Sequence, residues 1–217
     1  MLRPGLLLFI QNTTWEEFIT TFKTVGASAI ISYNNKYIFE IQKSEKWNYN
    51  SSGEIEIGIG CIGGTIENSE TPLETLQREV LEEIRTNIEI IEWDHPFTVT
   101  SDLNVYDINP KNESKNLFFH WFGTKKPYRK CRICVFLGKV IDDPFPDDLA
   151  GLLITDIKLL MECLENDFSL NQCLEKGMKI ISKEEIPLKA KIKEVGTVKT
   201  IKELYKNHKT RIKHLLK

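Results

Sequence analysis

Gly64–Thr86 reads GTIENSETPLETLQREVLEEIRT, a glycine turn that runs into a helix carrying three carboxylates within one and a half turns. Thr71 is placed to cap that helix, Pro72 occupies the first helical position where its missing N–H costs nothing, and Glu74 falls where a capping box needs an acid. At about 100° per residue, Leu73, Leu76, Val80 and Ile84 lie within roughly 80° of one another and form a core-facing stripe. Glu79, Glu82 and Glu83 lie beside the stripe at spacings of three and four residues, so three like charges meet on one flank. Such crowding destabilises an isolated helix and raises at least one carboxylate pKa unless a cation neutralises the group. Hard oxygen ligands select Mg²⁺ or Mn²⁺ over Zn²⁺. Arg78, four residues before Glu82, is placed to hold that carboxylate in a forked hydrogen bond.

The run from Gly64 through Glu70 to Arg78-Glu79-Val80-Leu81-Glu82-Glu83 resembles the box of the Nudix hydrolases, which cleave nucleoside diphosphates linked to another moiety. The resemblance implies that Glu79, Glu82, Glu83 and the Gly64 carbonyl hold Mg²⁺ or Mn²⁺, with Glu79 either ligand or general base and Arg78 orienting the acids. It also implies a further acid from a distant loop. Asp142, Asp143, Asp147 and Asp148 are the candidates, with Asp148 preferred because it is nearest the following strand. The sequence departs from the family at Arg85, where a glycine is usual. That glycine resembles a left-handed helix cap, a task that asparagine also performs, so Asn87 is expected to inherit it.

Length and composition bound the rest. The 217 residues suffice for one sizeable core with extensions, and the 41% hydrophobic and 28% charged content with net charge −2 is that of an ordinary globular chain. No apolar run approaches the roughly 20 residues of a membrane helix, and Leu6–Ile10 is too short for a signal-peptide core. Five cysteines, an odd number without regular spacing, argue against a disulfide framework and for a reducing, cytoplasmic setting. Cys131 and Cys134 form a CxxC inside an apolar strand, where side chains alternate and no second ligand pair accompanies them. His95, His120, His208 and His214 lack the mutual spacing of a metal set, and His120 with Trp121 reads as core packing rather than a nucleobase shelf.

Along the chain, residues 1–24 read as an N-terminal addition with a helix from Trp15. Asn34-Asn35 joins strands over Ala27–Tyr33 and Lys36–Ile41. Further strands are expected over Glu54–Ile62, Ile88–Trp93, Phe97–Val105, Leu117–Phe122, Cys131–Val140 and Gly151–Thr155, followed by a helix over Ile157–Glu165 behind the cap Asp156. The cationic turn Lys125–Lys130 reads as a solvated hairpin loop, with phosphate contact as the alternative. The pattern is α+β, similar to the Nudix α/β/α sandwich with a mixed sheet, over residues 25–168.

From 169 to 217 a mostly helical extension is expected. Residues 183–217 hold eleven Lys or Arg against four Glu, a local charge of +7. Ile201, Leu204, Tyr205, His208, Ile212 and Leu215 keep helical spacing, so the stripe is expected to pack on the domain and leave the lysines solvated. The partner implied is a nucleotide-type small molecule, with nucleic acid not favoured and no membrane. Two alternatives stand beside the hydrolase: a catalytically inactive Nudix-like module that senses a nucleotide, and an RNA-processing protein gripping its substrate with the basic tail.

Overall fold

The computed structural model describes residues 23–51, 53–107 and 116–216. The expected N-terminal addition with its helix lies outside these residues, apart from Lys23 and Thr24, which begin the first strand. The described residues begin with a hairpin of β1 (Lys23–Tyr33) and β2 (Lys36–Ile41), turned by Asn34 and Asn35 at φ 49° and 61°. Two consecutive left-handed residues match the twist of the flanking strands, and asparagine tolerates that region. The hairpin opens after Ile31↔Ile38. β3 (Asn48–Tyr49) pairs antiparallel with β4 (Ile55–Gly60), and a bent strand made of β4 and β5 (Ile62–Thr65) enters the gap. β4 pairs with β2 through Glu40↔Gly60 and Ile41↔Ile59, whereas β5 pairs with β1 from Ala29↔Ile62 to Gly26↔Thr65.

Helix α1 (Pro72–Ile84) follows, with Thr71 and Glu74 forming the capping box. Then come β6 (Ile88–Ile90), β7 (Phe97–Thr100), β8 (Val105–Asp107), β9 (Leu117–Phe122), β10 (Cys131–Val140) and β11 (Gly151–Thr155). β1 and β10 run parallel at the centre of a mixed sheet. After α2 (Ile157–Glu165), capped by Asp156 as expected, the chain forms α3 (Leu170–Glu175), β12 (Lys179–Ser182), β13 (Lys191–Glu194) and α4 (Gly196–Asn207), and ends on 3-10 turns over Lys209–Leu216.

Strand alternation divides the interior in two. Ala27, Ala29 and Ile31 of β1 and Ile38 of β2 face α1, packing with Leu76, Val80 and Ile84. Ile30, Phe39, Ile41, Ile57 and Ile59 face the other way, against Ile157 and Leu160 of α2 and Val198, Ile201 and Leu204 of α4. The result is the expected α/β/α sandwich. Among the described residues no helix is long and apolar enough to cross a membrane.

Three expectations are corrected. The segment read as one strand over Phe97–Val105 turns back on itself at Ser101–Asn104, with Leu103 left-handed at φ 63°. No glycine or proline punctuates that turn. The C-terminal segment, expected to be mostly helical, also contributes two unforeseen strands, since β12 pairs with β11 and β13 runs parallel to β4. These four-residue strands lie among lysines, and the sheet supplies hydrogen-bond partners that local propensity does not reveal. Of the expected apolar stripe, Ile201, Leu204, Ile212 and Leu215 are buried, each contributing roughly 1.5–3 kcal/mol.

The third correction concerns Arg85. It adopts the left-handed conformation itself (φ 52°, ψ 29°) and its N–H caps the Leu81 carbonyl, so Asn87 does not take that task. The strain costs about 1–2 kcal/mol in a residue with a Cβ. It is offset by the Asp147 ion pair (Nε–Oδ2 2.8 Å) and by stacking of the guanidinium 5.5 Å from the Phe145 ring. The acid-rich loop also donates backbone N–H groups from Phe145 to the Ile84 carbonyl and from Asp147 to the Glu83 carbonyl, satisfying acceptors that a helix end leaves open.

Candidate active site

Where β5 passes into α1, Gly64 lies beside Ala27 in the sheet, and a side chain added at Gly64 would collide with the Glu79 carboxylate. The glycine thus gives Glu79 its place. One turn on, Glu83 reaches back to the same strand and accepts a hydrogen bond from the Gly63 N–H at 3.2 Å.

Arg78 fixes the other acids. Its Nη1 donates to Glu79 Oε1 at 2.9 Å and to Glu82 Oε2 at 3.1 Å, its Nε to Glu70 Oε1 at 2.8 Å, and its Nη2 to the Thr65 carbonyl at 3.1 Å. One guanidinium therefore ties the helix to the strand and the glycine turn, using the fork geometry that lysine lacks. Glu70 also accepts from Thr75 Oγ1, and the Arg78 and Thr75 bonds hold its carboxyl at about 2. Glu70 thereby serves as the counter-charge that positions Arg78.

Glu83 is in the opposite situation. Burial, followed by the charges of Glu40, Glu79 and Asp148, pushes its carboxyl up to about 9, although the Gly63 N–H lowers it. Glu40, on β2, is raised to about 7 mainly by burial and further by Glu79, against the lowering effects of Lys46 and a Gln42 hydrogen bond. Glu40 was not foreseen as a site residue. The available signal was a lone acid in the apolar strand Tyr37-Ile-Phe-Glu-Ile41, in step with an inward-facing isoleucine.

The loop acids separate by role. Asp143 accepts from the Tyr33 hydroxyl at 2.6 Å, Asp142 donates its backbone N–H to Thr86 Oγ1, and Asp147 is held by Arg85 and Lys183. Asp148 is exposed at the rim, paired with Lys43 at 2.5 Å, and its charge acts on Glu83. Of the CxxC cysteines, Cys134 is buried and Cys131 half-buried.

Carboxylate oxygens and the Gly64 carbonyl are hard donors of the kind Mg²⁺ and Mn²⁺ take. The raised Glu83 and Glu40 carboxyls mark where positive charge is lacking, so the donor set suits such an ion. Among the described residues no three Asp, Glu, His or Cys side chains already converge as a cage. Like charges repel, and Arg78 draws Glu79 and Glu82 to itself.

The model of the NUDIX domain family matches residues 23–130. Among solved structures, the chain is similar to a NUDIX hydrolase from Nitrosomonas europaea, with 18% identity, TM-score 0.38, and coverage of 63% of this chain and 60% of that one. A NUDIX-family hydrolase from Clostridium perfringens gives 18% identity and TM-score 0.41, covering 66% of this chain and 84% of that one. A nudix hydrolase family member from Chromobacterium violaceum gives 15% identity and TM-score 0.33, with 58% of each chain covered. The chain thus spans about three fifths of the length of the Nitrosomonas and Chromobacterium proteins. No curated protein matches it.

Proposed function

The chain belongs to the Nudix family, and from that premise we propose that it hydrolyses a pyrophosphate bond in a nucleoside diphosphate linked to another moiety, using Mg²⁺ or Mn²⁺. The observation that carries the reading is Glu83, half-buried beside Gly63 and surrounded by acids of the same sign. Withdrawing that much negative charge from water costs several kcal/mol unless a cation compensates it, and the single Gly63 N–H bond offsets only part of that cost.

Glu79, Glu82, Glu83 and the Gly64 carbonyl would hold the cation. Bound there, it would neutralise charge developing on the phosphoryl oxygens and lower the pKa of a coordinated water. The chain's own residues supply the rest. Arg78 keeps Glu79 and Glu82 in fixed rotamers, so little reorganisation is needed when substrate arrives. Glu79, half-buried next to Gly64, is positioned either to ligate or to accept a proton from the attacking water. Asp148 and Lys43 flank the opening as a paired acid and base, and Lys43 can exchange its carboxylate partner for a phosphate oxygen.

The basic tail supports a small-molecule substrate over a polyanion. Lys183, Lys191, Lys193, Lys202 and Arg211 are already paired with Asp147, Asp167, Asp167, Glu194 and Asp107, so part of the local positive charge is neutralised within the fold. The test is metal-dependent turnover. Glu82→Gln and Glu83→Gln should each lower kcat/KM by about two orders of magnitude or more, while melting without metal stays level or rises. Activity of either variant near wild type would sink the site assignment.

A further inference from the structure

We propose that Glu40 is part of the cation site: a carboxylate supplied by β2, from outside the box helix, that faces the metal together with Glu79 and Glu83. The inference rests on the reading of this site as a divalent-cation site and adds to it a ligand that the box does not contain.

Register places Glu40 there. Along β2, Phe39 and Ile41 enter the core beneath α2 and α4, whereas Ile38 enters the core beneath α1. Alternation therefore sends Glu40 to the α1 side. Its neighbours on the two flanking strands are Leu152 and Gly60. A Cβ at Gly60 would lie 2.6 Å from a Glu40 carboxylate oxygen, so this position has no side chain where the acid needs room. Gly64 does the same for Glu79. Two glycines of one bent strand thus make space for two carboxylates arriving from different elements.

The electrostatics agree with the geometry. Glu40 is the foremost charged neighbour of Glu83, and Glu79 acts on both. An apolar residue at position 40 would continue the surface formed by Ile38 and Leu152, and a carboxylate there costs folding free energy unless something positive meets it. Lys46 acts on it only from a distance, and the guanidinium of Arg78 is spent on Glu70, Glu79 and Glu82. Asp148, the acid the sequence favoured, differs on each count: its side chain is 67% exposed and Lys43 supplies its counter-charge. The distal carboxylate accordingly comes from before the box in the chain rather than from the loop after it.

The experiment is Mn²⁺ binding to the full-length metal-free protein, read from the loss of the free-ion paramagnetic resonance signal, with melting curves alongside. Glu40→Gln should weaken Mn²⁺ binding by about tenfold or more and shrink the Mn²⁺-induced rise in Tm, without lowering Tm in chelator. Asp148→Asn should stay within about threefold of wild type, since an exposed acid paired with lysine contributes little. Gly60→Ala, which crowds the Glu40 carboxylate and changes no charge, should weaken binding in the same direction and serves if Glu40→Gln does not fold. Glu83→Gln separates the two readings. If it loses Mn²⁺ while Glu40→Gln and Gly60→Ala bind as wild type, Glu40 is not a ligand and the cation site stands. If Glu83→Gln also binds as wild type, the cation site itself is wrong and this inference falls with it.

Discussion

Replacing Glu83 by Gln should change how the metal-free protein responds to pH. The Glu83 carboxyl lies at about 9 in the fold against 4.5 in an exposed chain. Between those values the folded protein holds a proton that the unfolded chain has released, so stability falls as pH rises through the interval. One such proton is worth about 1.4 kcal/mol per pH unit, hence at most about 2.7 kcal/mol from pH 6 to pH 8. Relaxation of water and side chains around the ion reduces this to about half to three quarters. For a chain of this size the Glu83 contribution alone should lower the wild-type Tm in chelator by about 3–8 °C over that range. Glu83→Gln removes this group, leaves Glu40 at about 7 to titrate in the same range, and should make the profile shallower, melting at or above wild type at pH 8. Mn²⁺ competes with the proton, so its stabilisation of wild type should be larger at pH 8 than at pH 6. Equal slopes for wild type and Glu83→Gln in chelator would show that Glu83 does not carry a raised pKa in the fold.

Neighbouring glycines should behave differently. Gly64→Ala displaces the movable end of Glu79 and should lower activity by about tenfold or more with little loss of stability, whereas Gly63→Ala, at φ 144° and against the Ala27 carbonyl, should cost about 2 kcal/mol or more in urea unfolding. Arg85→Ala keeps the left-handed strain and loses the Asp147 pair, while Arg85→Gly relieves the strain, so the glycine variant should be about 1 kcal/mol the more stable in the same assay. Leu204→Ala, fully buried beneath the sheet, should cost about 2–5 kcal/mol in urea. Removing residues 199–217 should lower Tm and leave turnover per folded molecule nearly unchanged. A truncated protein that melts as before yet loses substrate or RNA affinity would make the tail a binding element.

What the sequence disclosed follows from how local each signal is. Helix α1 announces itself through Thr71, Pro72, Glu74 and its apolar stripe, all within one segment, and β10, β11 and α2 have the expected bounds because alternation and the Asp156 cap are equally local. The Arg78 network was half visible: its reach to Glu82 follows from helical spacing, but its bonds to Glu70 and the Thr65 carbonyl depend on how the glycine turn folds back. β12 and β13 were hidden because their pairing partners lie far away in sequence. The conformation of Arg85 depends on Asp147, 62 residues further on. Glu40 is the instructive case. Its alternation with Ile38 was readable, but the fact that this face lies beneath α1, opposite Gly60, emerges only when β4–β5 is inserted into the open hairpin.

The most direct measurement is hydrolysis of a panel of nucleoside-diphosphate conjugates, nucleoside triphosphates and dinucleoside polyphosphates in ¹⁸O-labelled water, with Mg²⁺, Mn²⁺ or chelator, followed by mass spectrometry of the products. At least one compound should yield a nucleotide and a second phosphorylated product, one carrying a single ¹⁸O on phosphorus, with metal present and wild-type protein only. Glu83→Gln and chelator should each abolish the label. Absence of metal-dependent label incorporation across the panel, by protein shown to be folded, would contradict the assignment of this site as a pyrophosphohydrolase.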